Sequence, residues 1–365
     1  MSKDVQILTR RIQLFIDSND KDFIGQTYKT LYGWRHICFR AANYIYTHFF
    51  LQDQVKELFY LTDETKVKLA DITKDAEGIL TTSRMNTTYQ VLAKNFKGEI
   101  PMHILGSLNM TLATTFNYER LAYMKGEKSV RNYKKDIPIP FRGTDIANLT
   151  PTENGKNFRF TLFKIPFRTY LGKDFFDKRL LLENSLKGSV KICTSSIVLD
   201  KGKIFLLAAF QQENEHKDLD GGVMAEASLS LEYPIIVRIG KKRYTIGDKE
   251  EFLHRRLAIQ AAQQRIQKAV MFNRTGHGRK RKTKALADFH GMEKNYITSK
   301  LHLYSRRLID ICVKHKAGTL LLINQQEKEA AAKEEEFLLR NWSYYGLKEK
   351  ITYKAKKVGI TLIIE

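Results

Sequence analysis

The segment Gly318–Gln326, Gly-Thr-Leu-Leu-Leu-Ile-Asn-Gln-Gln, narrows most sharply what this chain can become. Its apolar run, bounded by glycine on one side and amides on the other, reads as a buried strand that emerges into polar residues at Asn324. Ahead of it, Ile297, Leu301, Tyr304, Leu308, Ile311 and His315 recur at helical spacing along one face, and Gly318 is placed to stop that helix. A long polar helix follows, then a second short apolar run, Ile360–Glu365. Helix, central strand, helix, strand is the second half of a layered α/β domain, and its chemistry turns on Asn324.

The first half of that domain lies just upstream. Met224–Leu231, Ile235–Ile239 and Arg243–Ile246 read as three short strands, the last two joined around Gly240-Lys241. A helix is expected over 249–270, with Phe252, Ile259, Ala262, Ile266 and Ala269 on one side and Arg255, Arg256, Arg265 and Lys268 elsewhere. A basic loop then leads to the helix before Gly318. Three antiparallel strands, helix, strand, helix, strand is the order of a ribonuclease-H-like domain, assigned here to 223–365.

Earlier in the chain the pattern changes three times. Val5–Ile16 alternates around charged positions and reads as a strand, so 1–18 is taken as the first strand of a β-barrel. From 19 to 136 the sequence is helical, with segments over 20–61, Asp63–Ile72, Thr82–Phe96 and Met102–Met124. The aromatics of 20–61 interleave with Arg35, His36 and Arg40, which suits either base stacking or an ordinary core stripe. After Ile137-Pro138-Ile139-Pro140 the periodicity becomes two, and Val190–Leu199 and Lys203–Phe210 flank a hairpin signal at Asp200-Lys201-Gly202. The expectation is α+β multidomain: a barrel over 137–215 that the first strand joins, a helical insertion, a linker at 216–222 and the α/β domain.

Charge points to a partner. The formal net charge is +22, and 222–365 alone carries 29 Lys/Arg against 15 Asp/Glu. An excess of this size favours a polyanion, most often nucleic acid. Cys38, Cys193 and Cys312 are isolated, which argues against a zinc site and a disulfide framework and suits small buried hydrophobes in a reducing cytoplasm. No signal peptide and no membrane-length apolar run is visible, so a cytoplasmic, nucleoid location is expected.

Several runs carry a resemblance to a family. Gly276–Lys284, Asn295-Tyr296 with the helix behind it, Asn341-Trp342-Ser343-Tyr344-Tyr345-Gly346-Leu347, and 351–360, Ile-Thr-Tyr-Lys-Ala-Lys-Lys-Val-Gly-Ile, resemble the RuvC-type domain of TnpB proteins and the miniature type V CRISPR effectors. The first 221 residues are similar to that family's wedge and recognition domains in architecture. The resemblance implies two-metal phosphodiester hydrolysis, with three carboxylates holding a pair of Mg²⁺ ions.

The sequence departs from the implied pattern at each carboxylate. Aligning Pro234 with the family's proline places Ser228 where the first Asp belongs, and Asn324-Gln325 replaces the Glu-Asp pair of the central strand. The third acid lies beyond Glu365 in the family. Neutral hydroxyl and amide oxygens do not supply the charge that draws divalent ions out of water. The expectation is therefore a metal-free, cofactor-free site and a protein that is not an enzyme, with rescue by Glu226, Glu232 or Glu365 as the alternative.

What remains implied is RNA-guided DNA recognition. Arg279, Lys280, Arg281, Lys282 and Lys284 form a dense basic run, and Arg306 and Arg307 lie off the apolar stripe of the next helix. Arg131, Lys134, Lys135 and Arg142 form a second cluster, with Ser83, Arg84, Asn86 and Tyr89 on a nearby helix as further nucleic-acid candidates. The expected partners are a guide RNA, a double-stranded DNA target and, for transcriptional activation, a sigma factor and RNA polymerase; promoter occlusion is the alternative output. Two copies on one guide are also implied. Ile104, Leu105, Leu108, Leu112 and Phe116 would be either a seam between copies or core of the helical part.

Overall fold

The computed structural model describes residues 5–59, 84–172, 175–214, 217–229, 233–272, 276–323 and 344–365. The chain divides into two compact units, Met1–Glu213 and Asn214–Glu365, each with its own apolar core.

The first unit is built on β1 (Val5–Ile16), whose alternation buries Leu8, Ile12, Leu14 and Ile16. The chain then leaves the sheet. Asp20 caps α1 (Lys21–Leu58) by accepting the Asp22 N–H at 2.9 Å, and α2 (Arg84–Phe96) and α3 (Met102–Met124) complete the helical part. The expected helix at 63–72 lies outside the described residues. The chain returns as β2 (Ile139–Phe141), a 3-10 turn at Gly143–Asp145, β3 (Ile146–Pro151), β4 (Phe158–Leu162) and β5 (Ile165–Tyr170). A short helix, α4 (Phe176–Leu186), precedes β6 (Lys191–Ile192), β7 (Ser195–Asp200) and β8 (Lys203–Glu213).

Pairing places β1 at the centre of the sheet, in the order β2-β7-β8-β1-β5-β4-β3, with β6 on β8. The β7–β8 hairpin turns at Lys201 and Gly202, both at positive φ, with Asp200 opposite Lys203. One expectation changes, and of the two alternatives for the α3 stripe the core is found. Among the described residues β2 and β3 are edges, so the hydrogen bonding describes an open sheet and does not close a barrel. Ile104, Leu105, Leu108, Leu112 and Phe116 are 3% exposed or less and belong to the core of this unit, so they are unavailable as a seam between copies.

The second unit carries β9 (Asp220–Ser228), β10 (Ile235–Ile239), β11 (Lys242–Ile246), α5 (Lys249–Met271), α6 (Gly276–Lys314), β12 (Ala317–Leu322), α7 (Tyr344–Val358) and β13 (Thr361–Ile364). The sheet order is β11-β10-β9-β12-β13, antiparallel across the first three strands and parallel across the last two pairings. Ala225, Ala227, Val237, Leu320 and Leu322 share a core with Leu301, Tyr304 and Leu308 of α6 and Leu347, Ile351 and Ala355 of α7.

Local corrections follow from backbone chemistry. Gly318 does not stop the helix. Lys316 takes the left-handed conformation there (φ 54), and Gly318 lies within β12, where a Cβ would sit 2.7 Å from the Asp220 carbonyl oxygen. The basic run 276–284 is the N-terminal part of α6 and not a loop, since lysine and arginine are good helix formers and no proline interrupts them. β9 begins at Asp220, inside the segment expected to be linker, because its backbone pairs with Ala317. Arg256, placed off the apolar face of α5, is buried and paired to Glu293 of α6 at 2.7 Å. Cys38 and Cys312 are buried thiols pushed up to about 12 by that burial, whereas Cys193 is half-buried.

Candidate nucleic-acid interface

The C-terminal ends of β9 and β12 meet where the sequence places its degenerate site. Ser228 closes β9, the Ile323 N–H donates to the Ala227 carbonyl at 3.0 Å, and the Glu365 N–H donates to the Leu322 carbonyl at 3.0 Å. Parallel pairing of β9 with β12 thus brings Ile323 alongside Ser228, with Glu365 following the neighbouring strand. Asn324 and Glu232 lie outside the described residues. Glu226 shares the Ser228 face of β9, opposite the buried Ala225 and Ala227, and its cross-strand neighbours are Arg238 and Leu321. Among the described residues no group of three His, Cys, Asp or Glu side chains could hold a metal ion. The described oxygen donors at these strand ends are the Ser228 hydroxyl and the Glu226 and Glu365 carboxylates, with Arg238 opposite Glu226.

The second cluster follows α3. Arg131, expected to meet nucleic acid, is bound to Glu119, its Nε donating to Oε2 at 2.6 Å and its Nη2 to Oε1, while its side chain stays 45% exposed. Lys128 Nζ and the Tyr123 hydroxyl donate to the same carboxylate. The Arg131 guanidinium, aided by Lys128 and Tyr123, holds the Glu119 carboxyl far below the usual range against burial, which pushes it up. Burial raises Tyr46, Tyr123 and Tyr133 around it. Lys134, Lys135 and Arg142 are exposed. A cleft of about 360 Å³ opens beside them, lined by Thr111, Thr115, Arg131, Tyr133, Pro138 and Ser196 among others.

Elsewhere the structure separates exposed cations from engaged ones. On α6, Arg281 and Lys284 are exposed; Arg279, Lys280 and Lys282 lie on the same helix but their side chains are outside the described set. Arg306 is exposed and pairs with Asp310 at 3.0 Å, and Arg307 is exposed beside it. Lys354 of α7 donates to the His302 carbonyl at 2.6 Å and to Ser305 Oγ at 2.8 Å. Burial, reinforced by Arg306 and Lys350, lowers its pKa to about 8. On α2, Asn86 and Tyr89 are exposed; Ser83 and the Arg84 side chain are not described. Of the α1 aromatics, Tyr46 and Phe49 are buried in the core while Tyr32 and Tyr44 are exposed; Arg35 lies over the Tyr32 ring at 4.7 Å and Arg40 over Phe96 of α2 at 5.3 Å. Sequence reading missed Glu119 and Asn43, which order this surface. A lone carboxylate within an apolar helix was the available signal for Glu119.

No protein-family profile matches the chain. It is similar to the CRISPR-associated endodeoxyribonuclease Cas12f1 of Sulfoacidibacillus thermotolerans, 25% identical over 282 residues, which is 71% of this chain and 65% of that protein. A Cas12f1 of Syntrophomonas palmitatica is 36% identical over 119 residues, 32% of this chain and 24% of that protein. The chain thus spans less than two thirds of either relative. In fold it resembles the protein of a cryo-EM Cas12f1–sgRNA–target DNA complex, with a TM-score of 0.65 at 15% identity over 99% of this chain and 88% of that one. The resemblance to miniature type V CRISPR effectors stands on these relatives. The expectation that the chain is not an enzyme does not: both relatives are named endodeoxyribonucleases, and a neutral side chain at 228 does not outweigh that kinship.

Proposed function

We propose that this chain is an RNA-guided DNA-binding protein, holding a guide RNA and using it to pair with one strand of a DNA duplex. The observation that carries the reading is the 282-residue similarity to a Cas12f1. The net charge of +22 supports it independently. Within this reading, Asn214–Glu365 is a RuvC-type, ribonuclease-H-like domain, supported by the strand order β11-β10-β9-β12-β13. Met1–Glu213 corresponds to a wedge sheet with α1–α3 inserted between β1 and β2.

Two outputs at the bound DNA are supported by different observations. The serine at 228 supports control of transcription, by drawing a sigma factor and RNA polymerase to a promoter or by occluding them. The names of both relatives support hydrolysis, for which Glu226 is the carboxylate on the Ser228 face of β9. Sequencing the RNA that co-purifies with the chain, then measuring binding to DNA matched or mismatched to it, tests the proposal. A discrete RNA and match-dependent binding are expected, and their absence would remove the reading. Incubating the matched complex with Mg²⁺ separates the outputs: cut strands that disappear in Glu226→Gln assign hydrolysis, and intact DNA assigns control of transcription.

A further inference from the structure

The irregular segment between α3 and β2 is fastened at two points. The first is Glu119, 6% exposed on α3, which binds Arg131 and Lys128 from the segment and Tyr123 from its own helix. Tyr46 of α1 closes this cage, its hydroxyl 3.3 Å from Glu119 Oε2 and 2.9 Å from the Tyr123 hydroxyl. The second is Asn43 of α1. Its Oδ1 accepts the Tyr133 N–H at 2.8 Å and its Nδ2 donates to the Tyr133 carbonyl at 3.0 Å. One side chain thus pairs with both polar groups of a backbone that has no strand partner at that residue, answering their demand for hydrogen bonds. The Tyr133 ring packs edge-on against Tyr46, centroids 5.4 Å apart at 72°.

Immediately after this clamp, Lys134 and Lys135 stand exposed on a turn closed by the Ile137 N–H on the Lys134 carbonyl at 3.2 Å. Neither lysine has an ion-pair partner among the described residues. Arg131, by contrast, is bound to Glu119. The segment therefore carries two kinds of exposed cation: Arg131 and Lys128, which are bound to Glu119, and Lys134 and Lys135, which have no ion-pair partner among the described residues. Ordering an irregular segment costs about 1–2 kcal/mol per residue of backbone entropy, and a loop ordered in advance does not incur that cost on binding.

We infer that Glu119 and Asn43 are positioning residues: they hold the turn at Lys134–Lys135 in place so that both ammonium groups meet backbone phosphates of a nucleic acid. Glu119 acts through Arg131 and Lys128, and Asn43 acts through the Tyr133 backbone. The inference rests on the proposed function, which supplies two sources of phosphate, the guide RNA and the target duplex.

A double-mutant cycle on the full chain tests it. Lys134→Gln/Lys135→Gln, Glu119→Gln, Asn43→Ala and their combinations are titrated with the co-purified RNA in one arm and, RNA-loaded, with matched DNA in the other, across a KCl series. The lysine pair should lower affinity and reduce the slope of log K against log salt by about 1–2 in the arm that supplies the phosphates. Glu119→Gln and Asn43→Ala should each weaken the same arm about five- to tenfold, and should add nothing once both lysines are gone. Asn43→Ala leaves the ion cage intact and serves where Glu119→Gln does not fold. Equal losses in both lysine backgrounds would show a merely structural role and overturn the inference. So would an unchanged salt slope for the lysine pair. A chain that binds neither RNA nor matched DNA would overturn the proposed function first, and this inference with it.

Discussion

Gly318 shows how one missing Cβ fixes a strand. A methyl at this position would lie 2.7 Å from the Asp220 carbonyl oxygen and 3.0 Å from the Gly221 Cα, and neither atom can rotate aside. The β9–β12 register shifts at this point, so the two backbones approach where the ladder is irregular. Gly318→Ala is expected to destabilise the second unit by about 1–3 kcal/mol, the usual cost of overpacking, read as a lower midpoint in thermal or urea unfolding. Lys354 makes a second prediction. Its folded pKa of about 8 lies below the ordinary lysine value of 10.5, because burial disfavours the ammonium. The unfolded chain therefore binds more protons between those values, and this group adds stability as pH rises from about 8 to about 10.5. Lys354→Met removes the titration. The stability of the unsubstituted chain relative to Lys354→Met should then increase between pH 7.5 and pH 10, and a constant difference across that range would refute the assignment.

At the scale of elements, legibility followed periodicity. β1, α3, the β7–β8 hairpin and the Leu301–Tyr304–Leu308 stripe stand in the sequence because each is a repeat of two or of 3.6 with ordinary punctuation. The β4–β5 hairpin was not legible. Its turn is Phe163-Lys164, with φ of 50 and 66, and neither residue type signals a left-handed turn. Tertiary packing accounts for the phenylalanine, whose ring meets Trp34 edge-on at 5.9 Å. Lys164 is exposed and has no such reason to be there. Lys164→Gly should therefore raise stability by about 0.5–1 kcal/mol, since glycine adopts this conformation without the Cβ clash, less what it gains in unfolded-chain entropy. Denaturant midpoints at unchanged m-value would check it. Helix ends were misjudged for a related reason: Gly318 offered the expected stop signal, but Lys316 supplies the left-handed residue because β12 already requires the glycine.

For the whole molecule, composition points to a polyanionic partner, while no single basic residue identifies its own contact. Of the basic positions read from the sequence, Arg131 and Arg306 are exposed yet bound to Glu119 and Asp310, whereas Lys134 and Lys135 are exposed with no ion-pair partner among the described residues. Sequence shows that a cation is present; only packing shows whether a carboxylate has already claimed it. The same holds at the end of β9, where Ser228 is legible as a residue type while the neighbours of Glu226, Arg238 and Leu321, depend on sheet order. The basic run of α6 is the place to separate phosphate contact from a solvated helix face. Counterion release makes log K fall with log salt by about 0.9 for each duplex phosphate neutralised, or about 0.7 on a single strand. Replacing Arg279, Lys280, Arg281, Lys282 and Lys284 by glutamine keeps helix propensity close to the original, so the fold should persist. If all five cations meet duplex phosphates, the slope for matched DNA should decrease by about 4.5, and by about 3.5 if they meet single-stranded RNA. A merely solvated face would leave the slope where it was, with affinity changing only through the long-range field of a net charge reduced from +22.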